Sequence, residues 1–542
     1  MTVVGQERTI ATLGSGHGLT MHSSRWRIFP WLGAVAIALM IPSFVFGPYA
    51  FDSGPYNYVW TRQFAEGLAR GQIYPRWLPR SFDGLGSPTF FFYPPLAFYV
   101  SGLLELAGLS TWPAISAAGL VFQLGSGLTM RGWLKDKSPR AALWACVYMA
   151  APYHLADFYY RGALAEFAAF AWIPLVAIGL EGRPRTLAVA FAGLVLTHLP
   201  TAVLVAVFFI GPLLVLRLAQ RRSIAPSAAA GLVGLALSGV YLVPALGLQR
   251  YVSIDQLWTA EFQPARYSLW TGSVKDYALA CAAVCGLIGT ATLVAARNAS
   301  PPRAWPVLAL VAAALAVGLV PWVWKLPVIE KVQFPYRILS IAEFAAVTSL
   351  AVTRLGRWTL SFTLAAALAL AIVGWWLIVS NFVEAKRQDS PDRHLRIARL
   401  MPDAPEYLPA GVAPPDLSAV RRVVDVGRFK PADRFAFPIW RVAGGAPVRP
   451  GSPVIPMGAI VERRTLPIEI AGDVSSAVGL LALGLWTLAG RRRTSKSDRL
   501  RAWAFGRRRP SAWRATRPDR VVGALAPEVR RHGLGDRTAP PP

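Results

Sequence analysis

The sequence predicts an all-α polytopic membrane protein of about twelve transmembrane helices, with a small β-rich extracytoplasmic domain before the last of them. Three observations predict it. Of the 542 residues, 54% are apolar and 16% charged, against roughly 45–50% and about 25% in a soluble globular domain; the mean hydropathy is +0.41. The apolar residues gather in runs close to the ~20 residues that cross a bilayer. The basic residues gather in short loops between those runs, where they set orientation. A disordered chain, a disulfide scaffold and an ordinary soluble enzyme are excluded on composition. The formal charge of +27 does not point to nucleic acid. Residues 491–542 hold 15 Lys/Arg against 4 Asp/Glu, a balance of +11, and most of the remainder lies in the loops.

Residues 1–27 form a polar cytoplasmic tail. Arg25 and Arg27 precede the apolar run Ile28–Gly47, which is too long for a signal-peptide core and reads as a retained first span. Further spans fall near 111–131, 140–154, 163–180, 186–199, 201–217, 224–246, 275–296, 304–324, 337–354, 358–380 and 472–489. The clusters around Arg131–Arg140, Arg183/Arg185, Arg217–Arg222, Arg297/Arg303, Arg354/Arg357 and Arg491–Arg493 then share one side, which is cytoplasmic. That holds only if Phe90–Gly108, opened by Pro94-Pro95, is re-entrant or lies on the surface. Segments 48–110, 154–162, 247–274 and 381–471 face outward. The last has β-like runs at Val420–Val426 and Ala459–Ile470, and reads as the β-rich domain. Residues 490–542 read as a basic, disordered cytoplasmic tail suited to anionic lipid. Both termini are thus cytoplasmic, in a bacterial cytoplasmic membrane. Cys146, Cys281 and Cys285 all lie in apolar runs and read as packing.

The polar residues that depart from this pattern converge on the outer side. Arg62, Arg70, Arg76 and Arg80 oppose the positive-inside trend. Either they bind an anion, for which the guanidinium fork is suited, or they pair with Glu66 and Asp83 and snorkel to headgroups. Asp52 follows the first span by a few residues. Its carboxylate suits a general base or a turn in Asp-Ser-Gly-Pro. His154, Asp157, Arg161 and Glu166 crowd the second outer segment. Asp157 and Arg161 are spaced i,i+4, whereas Arg161 and Glu166, five apart, do not face one another on a regular helix. His198 and Arg337 lie at span ends on the same side.

Asp52 after the first span, Gly71–Pro79 with its YPRW, Gly86–Leu96 ending FFFYPPL, PYHLADFYYRGALAE up to Glu166, Thr197–Pro200 and Phe334–Arg337 together resemble bacterial integral-membrane proteins of the C-type glycosyltransferase (GT-C) superfamily. They are most similar to the group labelled 6-pyruvoyl-tetrahydropterin synthase-related, though no soluble zinc site of a pterin synthase is present. Glu406–Pro409 (EYLP) and Phe437–Val442 resemble that group's outer domain. The resemblance covers roughly residues 28–490, with a membrane core over 28–380.

It implies inverting transfer of a sugar from a polyprenyl-phosphate donor, at the outer face, to an envelope glycan, lipid or protein acceptor, with no nucleic-acid partner. Asp52 is then the catalytic candidate, with Glu166 or Asp157 as a second acid. Arg76, Arg80, Arg161 and Arg337 become candidates for the carrier phosphate, and His154, His198 and Tyr336, in the same motifs, become further substrate-binding candidates. Ser53 follows Asp52, where several superfamily members carry a second acid or a Lys. A Mg or Mn ion shared by Asp52 and Glu166 therefore stays open. Two other classes remain: a non-catalytic envelope scaffold, and a transporter or flippase of a lipid-linked or anionic substrate, which would carry charges at mid-span.

Overall fold

The computed structural model of the chain describes residues 20–49, 52–295, 303–353, 357–387, 389, 391–410, 434–442, 454–455 and 461–506. The chain divides into two units, 1–487 and 488–542; in the second, residues 488–506 are helical.

The architecture is mostly helical. Five helices are long and apolar enough to cross a membrane: Thr111–Leu134, Leu199–Ala219, Asp276–Ala295, Pro335–Val352 and Pro467–Ala489. The pair Ala225–Leu237 and Gly239–Gly247 makes a sixth if its 72° bend is one broken span. Shorter apolar helices lie at Pro30–Phe46, Leu96–Leu106, Leu164–Leu180, Pro184–Thr197 and Ala304–Ala316. Proline explains much of the shortening. Pro152 opens the helix Pro152–Tyr159 just after Ala141–Met149 ends, because a ring without an N–H is tolerated in a first turn and not inside a helix. The helix Leu96–Leu106 has 11 residues, about 16 Å, half of a hydrocarbon core.

Between the first helix, Thr20–Phe46, and Thr111–Leu134 lies an ordered cap. Its helix Gly54–Ala69 carries a proline in the first turn. Tyr56 and Trp60 stack along it at 5.6 Å, and Trp60 meets Tyr93 at 4.4 Å and Phe98 at 5.4 Å. Thr61 and Ser101 share a hydrogen bond of 2.8 Å. These buried contacts tie the loop helix to FFFYPPL and to Leu96–Leu106.

The segment before the last helix is more helical than β-rich in its first part. Helix Arg357–Arg387 runs on past residue 380, then Pro391–Leu400 and a tight turn at Pro405–Tyr407 follow. Two antiparallel ladders pair Arg434–Phe435 with Val454–Ile455 and Trp440–Val442 with Val461–Arg463. The expected strand Val420–Val426 lies outside the described residues. Of Ala459–Ile470, Val461–Arg463 is strand and Pro467 already starts the helix. Glu469 reaches back to accept the Leu466 amide at 2.9 Å, which caps that start.

Asp403 clamps this segment to the cap. It is fully buried and accepts the Trp60 indole N–H at 2.8 Å, the Thr89 hydroxyl at 2.7 Å and the Ala404 amide at 2.8 Å. Replacing Asp403 by Ala takes the acceptor from three buried donors, at about 1–3 kcal/mol for each one left unpaired. Thermal unfolding of the purified protein is expected at a lower temperature in D403A; an unchanged melting point contradicts the clamp.

Candidate active site

The site begins where the chain leaves the first helix. Asp52 has φ +47, a left-handed conformation that Asp tolerates better than most residues. The turn is fixed from outside by the Arg161–Gly162 corner. The Ser53 amide donates to the Arg161 carbonyl at 3.2 Å, and the Asn57 side chain donates to the Gly162 carbonyl. Gly162 has φ +58, and a Cβ there would stand 3.0 Å from the Gly54 nitrogen. Both the backbone angle and the close approach of the two turns require glycine. The sequence therefore seats Asp52 against Arg161 across more than a hundred residues.

Arg161 belongs to a buried ionic cluster. Its guanidinium meets Asp157 at 2.6 Å and Glu166 at 2.7 Å. Glu166 also takes Arg337 at 3.1 Å and the Tyr153 hydroxyl at 2.6 Å, with His198 at 4.0 Å. Arg337 continues to the Val332 carbonyl at 2.6 Å and Gln333 at 3.2 Å. Arg161, Glu166 and Asp157 are 6%, 1% and 0% exposed, so burying the Arg161 and Glu166 charges is sustained by the partners each has here. Tyr336 and Phe334 stack at 5.2 Å; Arg161 lies 5.1 Å over Tyr336 and Arg337 4.8 Å over Phe334. Glu343 accepts the Tyr153 and His154 amides at 2.6 and 3.1 Å, holding the start of Pro152–Tyr159.

Asp52 itself keeps an accessible surface within a ring of protein that displaces most of its water. That desolvation raises its carboxyl above its ordinary value, against the opposing pull of Arg161, Arg337 and Lys275 and a hydrogen bond from Ser53. Lys275 is exposed and makes no ion pair among the described residues; Tyr267 lies 5.9 Å beneath it. The two arginines are committed to carboxylates, and among the described residues Lys275 is a positive charge beside Asp52 without an ion pair.

The structure brings together Asp52, Arg161, Glu166, His198, Tyr336 and Arg337. It corrects one expectation outright: Arg161 and Glu166 do face one another, because the helix stops at Tyr159, turns at Gly162 and restarts at Leu164. The Asp157–Arg161 pair occurs at its i,i+4 spacing. His154 is buried, stacked at 4.0 Å on Phe170, with Nδ1 3.3 Å from the Tyr148 carbonyl, and so packs in the core. Arg76 and Arg80 go elsewhere. Arg76 is buried near Glu469 at 3.8 Å and Asp473 at 3.6 Å and donates to the Val240 carbonyl. Arg80 pairs with Glu66 at 2.8 Å, as does Arg62 at 3.0 Å. Pairing, the second of the two readings for the loop arginines, holds for Arg62 and Arg80.

The shared Mg or Mn ion does not fit. Both Glu166 oxygens are occupied by two guanidinia and a phenol, and among the described residues no three His, Cys, Asp or Glu side chains group for a metal. Tyr153, Lys275 and Glu343 were not singled out by sequence. Lys275 heads an apolar run after a long outer segment, which was the available signal for it.

No family model matches the sequence, and no curated protein matches it. Among solved structures, the arabinofuranosyltransferase AftD from mycobacteria aligns at 17% identity and a TM-score of 0.42, over 67% of this chain and 27% of that one. ArnT from Cupriavidus metallidurans, solved bound to undecaprenyl phosphate, aligns at 16% identity and 0.37, over 70% and 75%. This chain thus spans little more than a quarter of AftD.

Proposed function

We propose that the chain is a membrane glycosyltransferase that takes a sugar from a polyprenyl-phosphate donor to an envelope acceptor at the outer face of the cytoplasmic membrane. The observation that carries the reading is Asp52: a desolvated yet accessible carboxylate, held in a left-handed turn beside two buried arginines and an unpaired lysine. In the displacement the acceptor hydroxyl oxygen attacks the anomeric carbon and the bond from that carbon to the phosphate oxygen breaks. The electron pair leaves with the phosphate, the hydroxyl proton passes to Asp52, and the anomeric configuration inverts. Arg161, Arg337 and Lys275 supply positive potential where the leaving phosphate gains charge. The Arg161–Glu166–Arg337 cluster, rigid through shared partners, keeps that potential in place without reorganising.

The division of labour among the cations is testable with the carrier alone. Lys275→Gln is expected to weaken binding of undecaprenyl phosphate to the purified protein about tenfold, the worth of one charge-assisted contact. The salt dependence should weaken with it. Equal affinity in wild type and K275Q contradicts a phosphate role for Lys275.

A further inference from the structure

A cavity of about 340 Å³ opens beside the chain that leads into the Asp52 turn. Phe46 and Pro48 line it where the first helix ends, Trp112 at the start of Thr111–Leu134, Lys386 at the end of Arg357–Arg387, then Asp389, and His394 from Pro391–Leu400. Arg161, Glu166 and Arg337 do not line it, so it is distinct from the ionic cluster. Its size falls in the range of small-ligand pockets, roughly 300–1,000 Å³.

The polar wall is built from charges. Lys386 donates to the Pro48 carbonyl at 3.4 Å and pairs with Asp389 at 3.0 Å. Asp389 also takes Arg393 at 3.2 Å and His394 at 2.6 Å. The side chains of Lys386 and Asp389 are 10% and 2% exposed, so the pair is held in place. Among the described residues, two permanent cations and an imidazole share a single carboxylate here, which leaves the group positive and suited to an anion. The His394 ring packs on Trp112 at 5.0 Å, and Trp112 on Tyr58 at 4.8 Å.

The surroundings are those of a lipid surface. The first helix leads to Phe46 with Ile37, Ile41 and Val45 exposed, and Arg357–Arg387 leads to Lys386 with Ile372, Val373 and Trp376 exposed. Each set falls on one helix face. The two helices are neighbours: the Tyr159 hydroxyl donates to the Leu39 carbonyl at 2.7 Å, and its ring meets Phe382 at 5.0 Å. Helix Pro391–Leu400 buries Ile397 and turns Leu395, Arg396 and Arg399 outward, as a helix lying on a lipid surface does. Two apolar stripes leading to one cationic cavity match a lipid with two acyl chains and an anionic headgroup.

We propose that this cavity holds the phosphate headgroup of an anionic glycerophospholipid, with Lys386 as its main contact. The site does not rest on the transferase reading. The test is native mass spectrometry of the purified full-length chain titrated with dioleoyl phosphatidylglycerol or dioleoyl phosphatidylcholine, in wild type, K386Q, K386R and K135Q. Wild type should bind one phosphatidylglycerol at least tenfold more tightly than phosphatidylcholine. K386Q should lose about tenfold, the worth of one charge-assisted contact, and K386R should stay within about twofold of wild type. K386Q leaves Asp389 with Arg393 and His394 and should melt with the wild type. Lys135 caps the far end of the helix that starts beside Trp112, about 35 Å away, so K135Q controls for net charge and should bind as wild type does. The proposal is overturned by equal binding of phosphatidylcholine, by wild-type binding in K386Q, or by equal losses in K386Q and K135Q. Displacement of phosphatidylglycerol by inorganic phosphate would make this a site for a free anion, and preferential displacement by undecaprenyl phosphate a site for the carrier; either result retires the phospholipid assignment.

Discussion

Asp52→Asn is expected to lower sugar transfer by about 10²–10⁴-fold, the usual worth of a positioned general base, at unchanged membrane abundance. The amide keeps the shape and the left-handed turn, which Asn also adopts readily, so folding should not suffer. Binding of undecaprenyl phosphate should hold or tighten, because a negative charge beside Arg161, Arg337 and Lys275 is gone. The pH dependence follows from the raised pKa of Asp52. The folded protein holds this proton more tightly than the unfolded chain does, so the group's contribution to stability is largest at low pH and falls as pH rises through the folded-state value. Activity runs the other way: only the ionised form accepts a proton. Turnover should therefore climb through a midpoint above the usual carboxylate range. Burial sets that midpoint high, and Arg161, Arg337, Lys275 and Ser53 pull it back down. A D52N enzyme that retains wild-type turnover removes Asp52 from the chemistry.

Glu166→Gln has the second large effect, and it is on the fold as much as on the site. Glu166 is 1% exposed and meets Arg161, Arg337 and Tyr153. Neutralising it leaves two guanidinia facing one another with Asp157 as the remaining carboxylate. Breaking a buried pair from one side costs about 3–5 kcal/mol. E166Q is expected to melt well below the wild type in detergent and to accumulate poorly in membranes. Removing the opposing charge together with the acid, as in the double change E166Q with R337Q, should recover part of the loss, because fewer buried charges are left without a partner. Additive losses in the double variant would mean that Glu166 and Arg337 act separately.

Much of the helical order was legible in the sequence, because apolar run length and basic loops report directly on membrane insertion. Asp52, Arg161, Glu166, His198 and Arg337 were legible as polar residues at one end of the spans. What the sequence hid is mostly what tertiary packing decides. The Arg161–Glu166 pair was dismissed on helical geometry, and a single left-handed glycine at Gly162 reversed that. Arg76 and Arg80 oppose the positive-inside trend as phosphate ligands would, yet Arg76 meets Glu469 from a distant segment, and Arg80 takes the alternative visible in the sequence, a pair with Glu66 in its own loop. Asp403 had no local signal: its partners, Trp60 and Thr89, are more than three hundred residues away in the chain. Lys275 is one more basic residue near a span end in the sequence, and it gains meaning only from its place beside Asp52 and from having no acidic partner among the described residues.

Sugar transfer dependent on Asp52 is read by lipid mass spectrometry of membranes carrying wild type or D52N at matched abundance, with the envelope acceptor present. One polyprenyl-phosphate sugar should be depleted by wild type and accumulate in D52N. Identical carrier profiles in the two membranes, with both proteins folded, would contradict it.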